Sequence, residues 1–147
     1  VGEVTPAAKK LVETTYEAML AGIHTVKPGA TLGDIGHAIQ SVAQSNGYTI
    51  VREYCGHGIG RIYHEQPNIL HYGQKGQGMT LKKGMVFTIE PMINAGKAAI
   101  KELNDGWTVV TQDKSLSAQW EHMVVVTDDG FELLTPWPNG TGSYPSV

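Results

Sequence analysis

Three histidines recur at intervals of seven, His57, His64 and His71, in a stretch that also holds Gly56, Gly58 and Gly60. Two carboxylates stand further along in settings that ordinarily exclude charge. Glu90 closes the apolar run MVFTI and is followed by Pro91, and Glu121 lies just before the apolar run Met123 to Val126. Charged side chains in such places are uncommon unless they are paired or hold a metal. His64 has the same character, because it follows Ile62 and Tyr63 at the end of a short apolar stretch. One imidazole and two carboxylates make an ordinary donor set for a divalent transition metal. The glycines would let a backbone or a substrate come close.

Taken singly, each residue has a plainer reading. His64 could be a hydrogen-bonded loop histidine, Glu90 an edge-strand charge, and Glu121 half of an ion pair. His57 could hold its loop by hydrogen bonds, and His71 could lie on the surface. Cys55 reads as a small buried residue, since nothing nearby marks a stabilised thiolate. His24 and His37 fall in helices and have no chemical role. No local zinc motif of the HExxH kind is present.

The elements that must position these groups are readable from periodicity. Residues 5–27 read as a helix capped by Thr5, with Pro6 in the first turn and a stripe of Leu11, Val12, Tyr16, Met19 and Ile23. Gly22 sits on that stripe and weakens it, and Lys27-Pro28-Gly29 stops it. A second helix opens at Thr31, with Asp34 three residues on in a capping-box pattern, and ends at Asn46-Gly47. The period then changes to two. Strands are expected over 48–54, 85–89, 107–111, 122–127 and 131–135, with glycine-rich loop at 55–60. Asp128-Asp129-Gly130 marks a hairpin between the last two. Two helices followed by strands predict an α+β fold with a mostly antiparallel sheet. The chain reads as one domain over 1–147, with an irregular tail at 136–147.

Composition narrows the function. A chain of 147 residues with net charge -3 carries no basic face for nucleic acid or an anionic membrane. No apolar run reaches the length of a membrane helix. A single cysteine favours a reducing compartment.

Four blocks, YCGHGIGRIYHEQPNILHY, GMVFTIEPMINAG, DGWTVVTQDKSLSAQWEH and VVVTDDGFELLT, resemble consecutive segments of the type I methionine aminopeptidases. The resemblance runs from the start of the chain to about Thr135. It implies at least half of the pita-bread fold, in which two pseudo-symmetric halves surround a dinuclear metal site. It also implies metal-assisted removal of the initiator methionine from nascent chains in the cytoplasm, at the ribosome. By resemblance His64, Glu90 and Glu121 are metal ligands, Glu90 is also the general base, and His71 contacts substrate at the tetrahedral intermediate. Tyr54, Cys55 and Trp107 match the surroundings of the methionine pocket, and His57 matches a motif histidine that is not a ligand. The metal is cobalt, manganese, iron or zinc.

The family pattern also needs a histidine and two aspartates with ten residues between the aspartates. No such pair exists here: Asp34 leads to Ser45, Asp105 to Leu116 and Asp113 to Val124. With Val1 rather than Met in first place, the chain is expected to be the C-terminal portion of the enzyme. It is then expected to hold one metal at most, with little or no activity, and to pair with the missing half or with a second copy. A non-catalytic binding module of the same fold is the alternative, and retention of His64, Glu90 and Glu121 argues against it. An X-Pro aminopeptidase fits the CGHGIGR and SLSAQWEH blocks less well. Only thirty residues separate Glu90 from Glu121, which disfavours the type II enzymes with their helical insertion.

Overall fold

Thr5 and Pro6 open the first helix of the computed structural model, which describes residues 2–136. Helix α1 spans Pro6–Ile23, with the Thr5 hydroxyl accepting the Ala8 N–H at 3.2 Å. It ends four residues short of Lys27. The Thr25 hydroxyl donates to the Gly22 carbonyl at 2.7 Å, and the Thr25 and Val26 amides fold back on Gly22 and Ile23. These local bonds replace the helical ladder before proline is reached.

Helix α2 spans Leu32–Ser45 behind a complete capping box. Asp34 N–H donates to the Thr31 hydroxyl at 3.3 Å, and the Asp34 carboxylate accepts Thr31 N–H at 2.7 Å. The same carboxylate takes the Gly76 amide at 3.0 Å, tying the start of α2 to a distant loop. These bonds, the Thr31 amide first and Gly76 second, hold the Asp34 carboxyl below its usual pKa. Folding therefore favours the ionised form, and its stabilisation is present at neutral pH and lost as pH falls through the lowered value. Asp34→Ala is expected to cost about 1 kcal/mol at pH 7, the ordinary worth of a helix cap, with the deficit shrinking in strong acid. Urea unfolding of both proteins at two pH values measures this, and an unchanged midpoint at pH 7 would count against it.

The two helices pack against each other. Gly22, which weakens α1 by propensity, lies where a Cβ would come within 2.7 Å of Ile39 Cγ1. The missing side chain is what allows the close approach.

Ten short strands follow, all paired antiparallel. They are β1 (Thr49–Ile50), β2 (Gly56–Gly58), β3 (Glu65–Ile69), β4 (Val86–Ile89), β5 (Met92–Asn94), β6 (Ile100–Glu102), β7 (Val109–Thr111), β8 (Ser117–Gln119), β9 (His122–Val126) and β10 (Phe131–Leu133). The main sheet has the order β10-β9-β4-β2-β3, a second has β1-β5-β8, and β6 and β7 form a hairpin. The α+β class is as expected, and the helices pack over both larger sheets. Met19, Ile23, Ile35, Ile39, Ile69, Phe87, Ile89 and Val124 meet in one core between them.

Several strand boundaries differ from the periodic reading. The expected strand over 48–54 shrinks to two residues, because Arg52 N–H turns to the Glu53 carboxylate at 3.0 Å and leaves the ladder. The expected strand at Trp107 begins at Val109, because the Trp107 and Thr108 amides both donate to the Asp105 carboxylate. Residues 55–60, expected as loop, contain β2, an interior strand of the main sheet. Strands β3, β5, β6 and β8 carried no clear alternation and were not anticipated. The irregular tail expected over 136–147 lies outside the described residues from position 137 on. Among the described residues no helix is long and apolar enough to cross a membrane.

Candidate metal centre

Register brings the candidate residues together. Strand β4 pairs with β9 so that Ile89 faces His122, and one step further along both chains Glu90 comes opposite Glu121. On its other side β4 pairs with β2, with Gly58 facing Phe87. One step back along β2 and one step on along β4 place His57 beside Thr88. Three adjacent strands thus deliver His57, Glu90 and Glu121 to one end of the sheet. A ligand atom from each lies within 4.8 Å of the others. His57 and Glu90 are half-buried and Glu121 is exposed.

The approach of β2 to β4 depends on Gly56. A Cβ there would collide with the Thr88 carbonyl oxygen and come 3.1 Å from its carbon. Glycine in this strand, which reads as loop by composition, is what admits it to the sheet interior.

His57 has a defined tautomer. Its Nδ1 lies 3.0 Å from the Gly58 carbonyl oxygen, which can only accept, so Nδ1 carries the proton in the neutral ring. Nε2 is left with its lone pair, 3.7 Å from Glu90 Oε1. A backbone carbonyl on one nitrogen and a free lone pair on the other is the usual preparation of a metal-binding histidine. Glu90 Oε1 accepts the Thr88 hydroxyl at 2.7 Å, and its Oε2 lies 3.4 Å from Gln119 Nε2. Burial raises the Glu90 pKa and the Glu121 charge adds to the rise, while the Thr88 bond and then His57 and His64 oppose it.

The expected ligand set was His64, Glu90 and Glu121; in the folded chain the atoms within 4.8 Å of one another are those of His57, Glu90 and Glu121, with His64 directly behind His57. His64 precedes β3, one strand further from β4, and its exposed ring packs edge-on against His57 with centroids 4.2 Å apart. Tyr63 stacks beside both rings, with 63% of its surface exposed.

His71 is not on the surface. It is 2% exposed, and its Nε2 accepts the Glu90 backbone N–H at 3.1 Å. Burial pushes its pKa down to about 4, so the ring is neutral with its proton on Nδ1. His71 therefore supports the main chain at Glu90. His122 does similar work beside Glu121, with Nδ1 3.0 Å from the Thr135 hydroxyl that also receives the Met123 N–H.

Tyr54 and Trp107 line a cavity of about 560 Å³ with Met92, Val109, Val110 and Gln119. Gln119 links this cavity to the carboxylates. Cys55 is not among its lining residues, and burial and the Glu90 charge raise its thiol pKa, in keeping with an inert cysteine. A hollow of about 830 Å³ beside His24 and His37 has no cluster of ligand atoms among the described residues. Thr88, Gln119 and His122 were missed by sequence reasoning. Only Thr88 left a signal, as the residue sharing a strand face with Glu90.

An imidazole and two carboxylates at the end of an antiparallel sheet, beside a mostly apolar cavity, form a donor set suited to a divalent metal. Residues 1–128 match metallopeptidase family M24, and the chain belongs to that family. It is 58% identical over 139 residues to the methionine aminopeptidase of Rickettsia prowazekii, covering 94% of this chain and 54% of the relative. It is 53% identical to the methionine aminopeptidase of Escherichia coli strain K12, covering 92% and 51%. The chain thus spans about half the length of these relatives. The crystal structure of the Rickettsia enzyme superposes with a TM-score of 0.89 over 90% of this chain and 54% of that chain. A prolidase from Pyrococcus furiosus shares the fold at a TM-score of 0.71, over 93% of this chain and 35% of that one, with only 27% identity.

Proposed function

We propose that this chain supplies one side of the catalytic centre of a type I methionine aminopeptidase, with Glu90, Glu121 and one imidazole of the His57–His64 pair as ligands to a single divalent metal. The grouping of His57, Glu90 and Glu121 ligand atoms within 4.8 Å, with the His64 ring 4.2 Å from that of His57, carries the proposal. The donor chemistry fits cobalt, manganese, iron or zinc, and affinity order alone does not choose among them. A bound cation supplies Lewis-acid polarisation of the scissile carbonyl.

The chain's own residues do the rest. Glu90, whose raised pKa suits proton transfer, is the general base. The cavity walled by Tyr54 and Trp107 takes the methionine side chain. His64, the ligand that the sequence resemblance implies, is exposed and packs against the His57 ring. His71, engaged with the Glu90 amide, keeps that backbone in place. Similarity to methionine aminopeptidases supports N-terminal methionine peptides of nascent chains as substrates, met at the ribosome in the cytoplasm.

Three protein ligands serve one metal. Calorimetric titration with cobalt or manganese is expected to give one ion per chain, and two tight sites would contradict the single-metal reading. Methionine release from a Met-Ala peptide, with Glu90→Ala alongside, tests the chemistry. Metal-dependent release that disappears in the variant supports an aminopeptidase centre. Metal binding without release above the variant assigns hydrolysis to a longer chain.

A further inference from the structure

We propose that Glu102 selects peptides by charge, favouring basic residues in the second and third positions after the initial methionine and disfavouring acidic ones there. The inference rests on the reading above that the cavity walled by Tyr54 and Trp107 takes the methionine side chain. Among the described residues that line this cavity, Glu102 alone carries a charge. The rest of the lining is apolar or neutral, with Met92, Val109 and Gln119 among it.

The hairpin fixes where that charge points. Ile100 and Glu102 of β6 line the cavity and Lys101 between them does not, as the alternation of side chains along a strand requires. Glu102 pairs with Val109, and the turn beyond is closed by the Leu103 N–H, which donates to the Thr108 carbonyl at 2.8 Å. Asp105, the other carboxylate of this hairpin, is engaged in the turn itself. It accepts the Trp107 and Thr108 amides and, at 2.6 Å, the Thr108 hydroxyl, and it does not line the cavity. Among the described residues the salt bridges join Lys9 to Glu13, His57 to Glu90 and Lys83 to Asp128, and none reaches Glu102.

Residues 101–110 are all exposed, so this wall is the rim of the cavity. Gln119 marks the other end, where its Nε2 lies 3.4 Å from Glu90 Oε2. A cavity of about 560 Å³ is about 8 Å across, and an extended chain running over it covers that distance in two or three residues at about 3.3 Å each. A peptide with its scissile bond at the carboxylates thus brings its next residues to the hairpin. A carboxylate on the rim attracts a cationic side chain there and repels an acidic one. The exposed indole of Trp107, on the same wall, offers a face to a guanidinium.

Three peptides with a C-terminal fluorophore test this: Met-Ala-Arg-Arg-Ala, Met-Ala-Gln-Gln-Ala and Met-Ala-Glu-Glu-Ala. Binding is followed by fluorescence anisotropy, which needs no hydrolysis. The arginine peptide is expected to bind about fivefold tighter than the glutamate peptide, the scale of exposed ion pairs. The gap should close as ionic strength rises past about 0.1 M, where charges more than about 10 Å apart are screened. Glu102→Gln is expected to lose most of the gap, and Glu102→Lys to reverse it. Glu132→Gln removes the same charge from β10, outside the cavity, and is expected to keep the gap. A parent that binds arginine and glutamate peptides equally overturns the proposal, as does a gap that Glu102→Gln keeps or Glu132→Gln loses. Binding of the glutamine peptide in those cases leaves the cavity reading standing. A chain that binds none of the three peptides overturns both.

Discussion

On the spacing of the folded chain, His57→Ala is expected to lose divalent metal and His64→Ala to retain it. His57 offers Nε2 at 3.7 Å from Glu90 Oε1, with its proton held on the other nitrogen by the Gly58 carbonyl. Removing it leaves two carboxylates, of which Glu121 is exposed. Two carboxylates without the imidazole form a poorer site for a transition metal, and their mutual repulsion is then relieved by protonation rather than by a cation. The affinity loss should exceed the about 100-fold that accompanies loss of an outer-shell partner. Glu90→Ala should lose at least as much, because it removes the half-buried carboxylate that Thr88 holds in place.

His64→Ala removes only a ring packed against His57, so its effect on affinity should stay within the outer-shell range. Calorimetry on the three variants decides the matter. Metal lost from His64→Ala and kept by His57→Ala would reinstate the ligand set that sequence resemblance implies.

The largest stability effect is expected at Phe87. It is the largest of the fully buried side chains, 1% exposed, on β4 between β2 and β9. Its neighbours in the core include Ile89, Ile69 and Val124, which are themselves fully buried. Phe87→Ala should cost about 3–5 kcal/mol, because the sheet and the helices over it cannot close around the void. Against the about 5–15 kcal/mol that holds a typical domain folded, this takes away a large share.

Phe87 points away from Glu90, so a folded Phe87→Ala protein should still bind metal. The same strand thus carries the fold on one face and the site on the other. Saturating cobalt should raise the urea midpoint of Phe87→Ala, since metal binds the native state. A cost below about 1 kcal/mol would show that the core around β4 collapses freely and is not the rigid layer described here.

Local signals in the sequence determined much of this protein. Thr5 with Pro6, and Thr31 with Asp34, mark helix starts because a capping side chain needs only its own next turn. The alternating runs of β4 and β9 mark strands that each bury a face. Glu90 and Glu121 stand out because a carboxylate beside buried strand residues demands a partner. The α+β class follows from the order of these elements.

Tertiary structure alone decided which histidine joins the two glutamates. His57 and His64 flank the same glycine-rich turn, and no spacing in the chain tells which of them faces Glu90. That depends on β2 lying directly against β4, on the register shift between His57 and Gly58, and on Gly56 admitting the Thr88 carbonyl. The fate of His71 is of the same kind, since its burial and its bond to the Glu90 amide arise nineteen residues away along the chain. The strands over 55–60 and at β5, β6 and β8 escape a periodic reading because they are too short to show a period. Their pairing is enforced by neighbours distant in sequence, which is where the energy of a sheet resides.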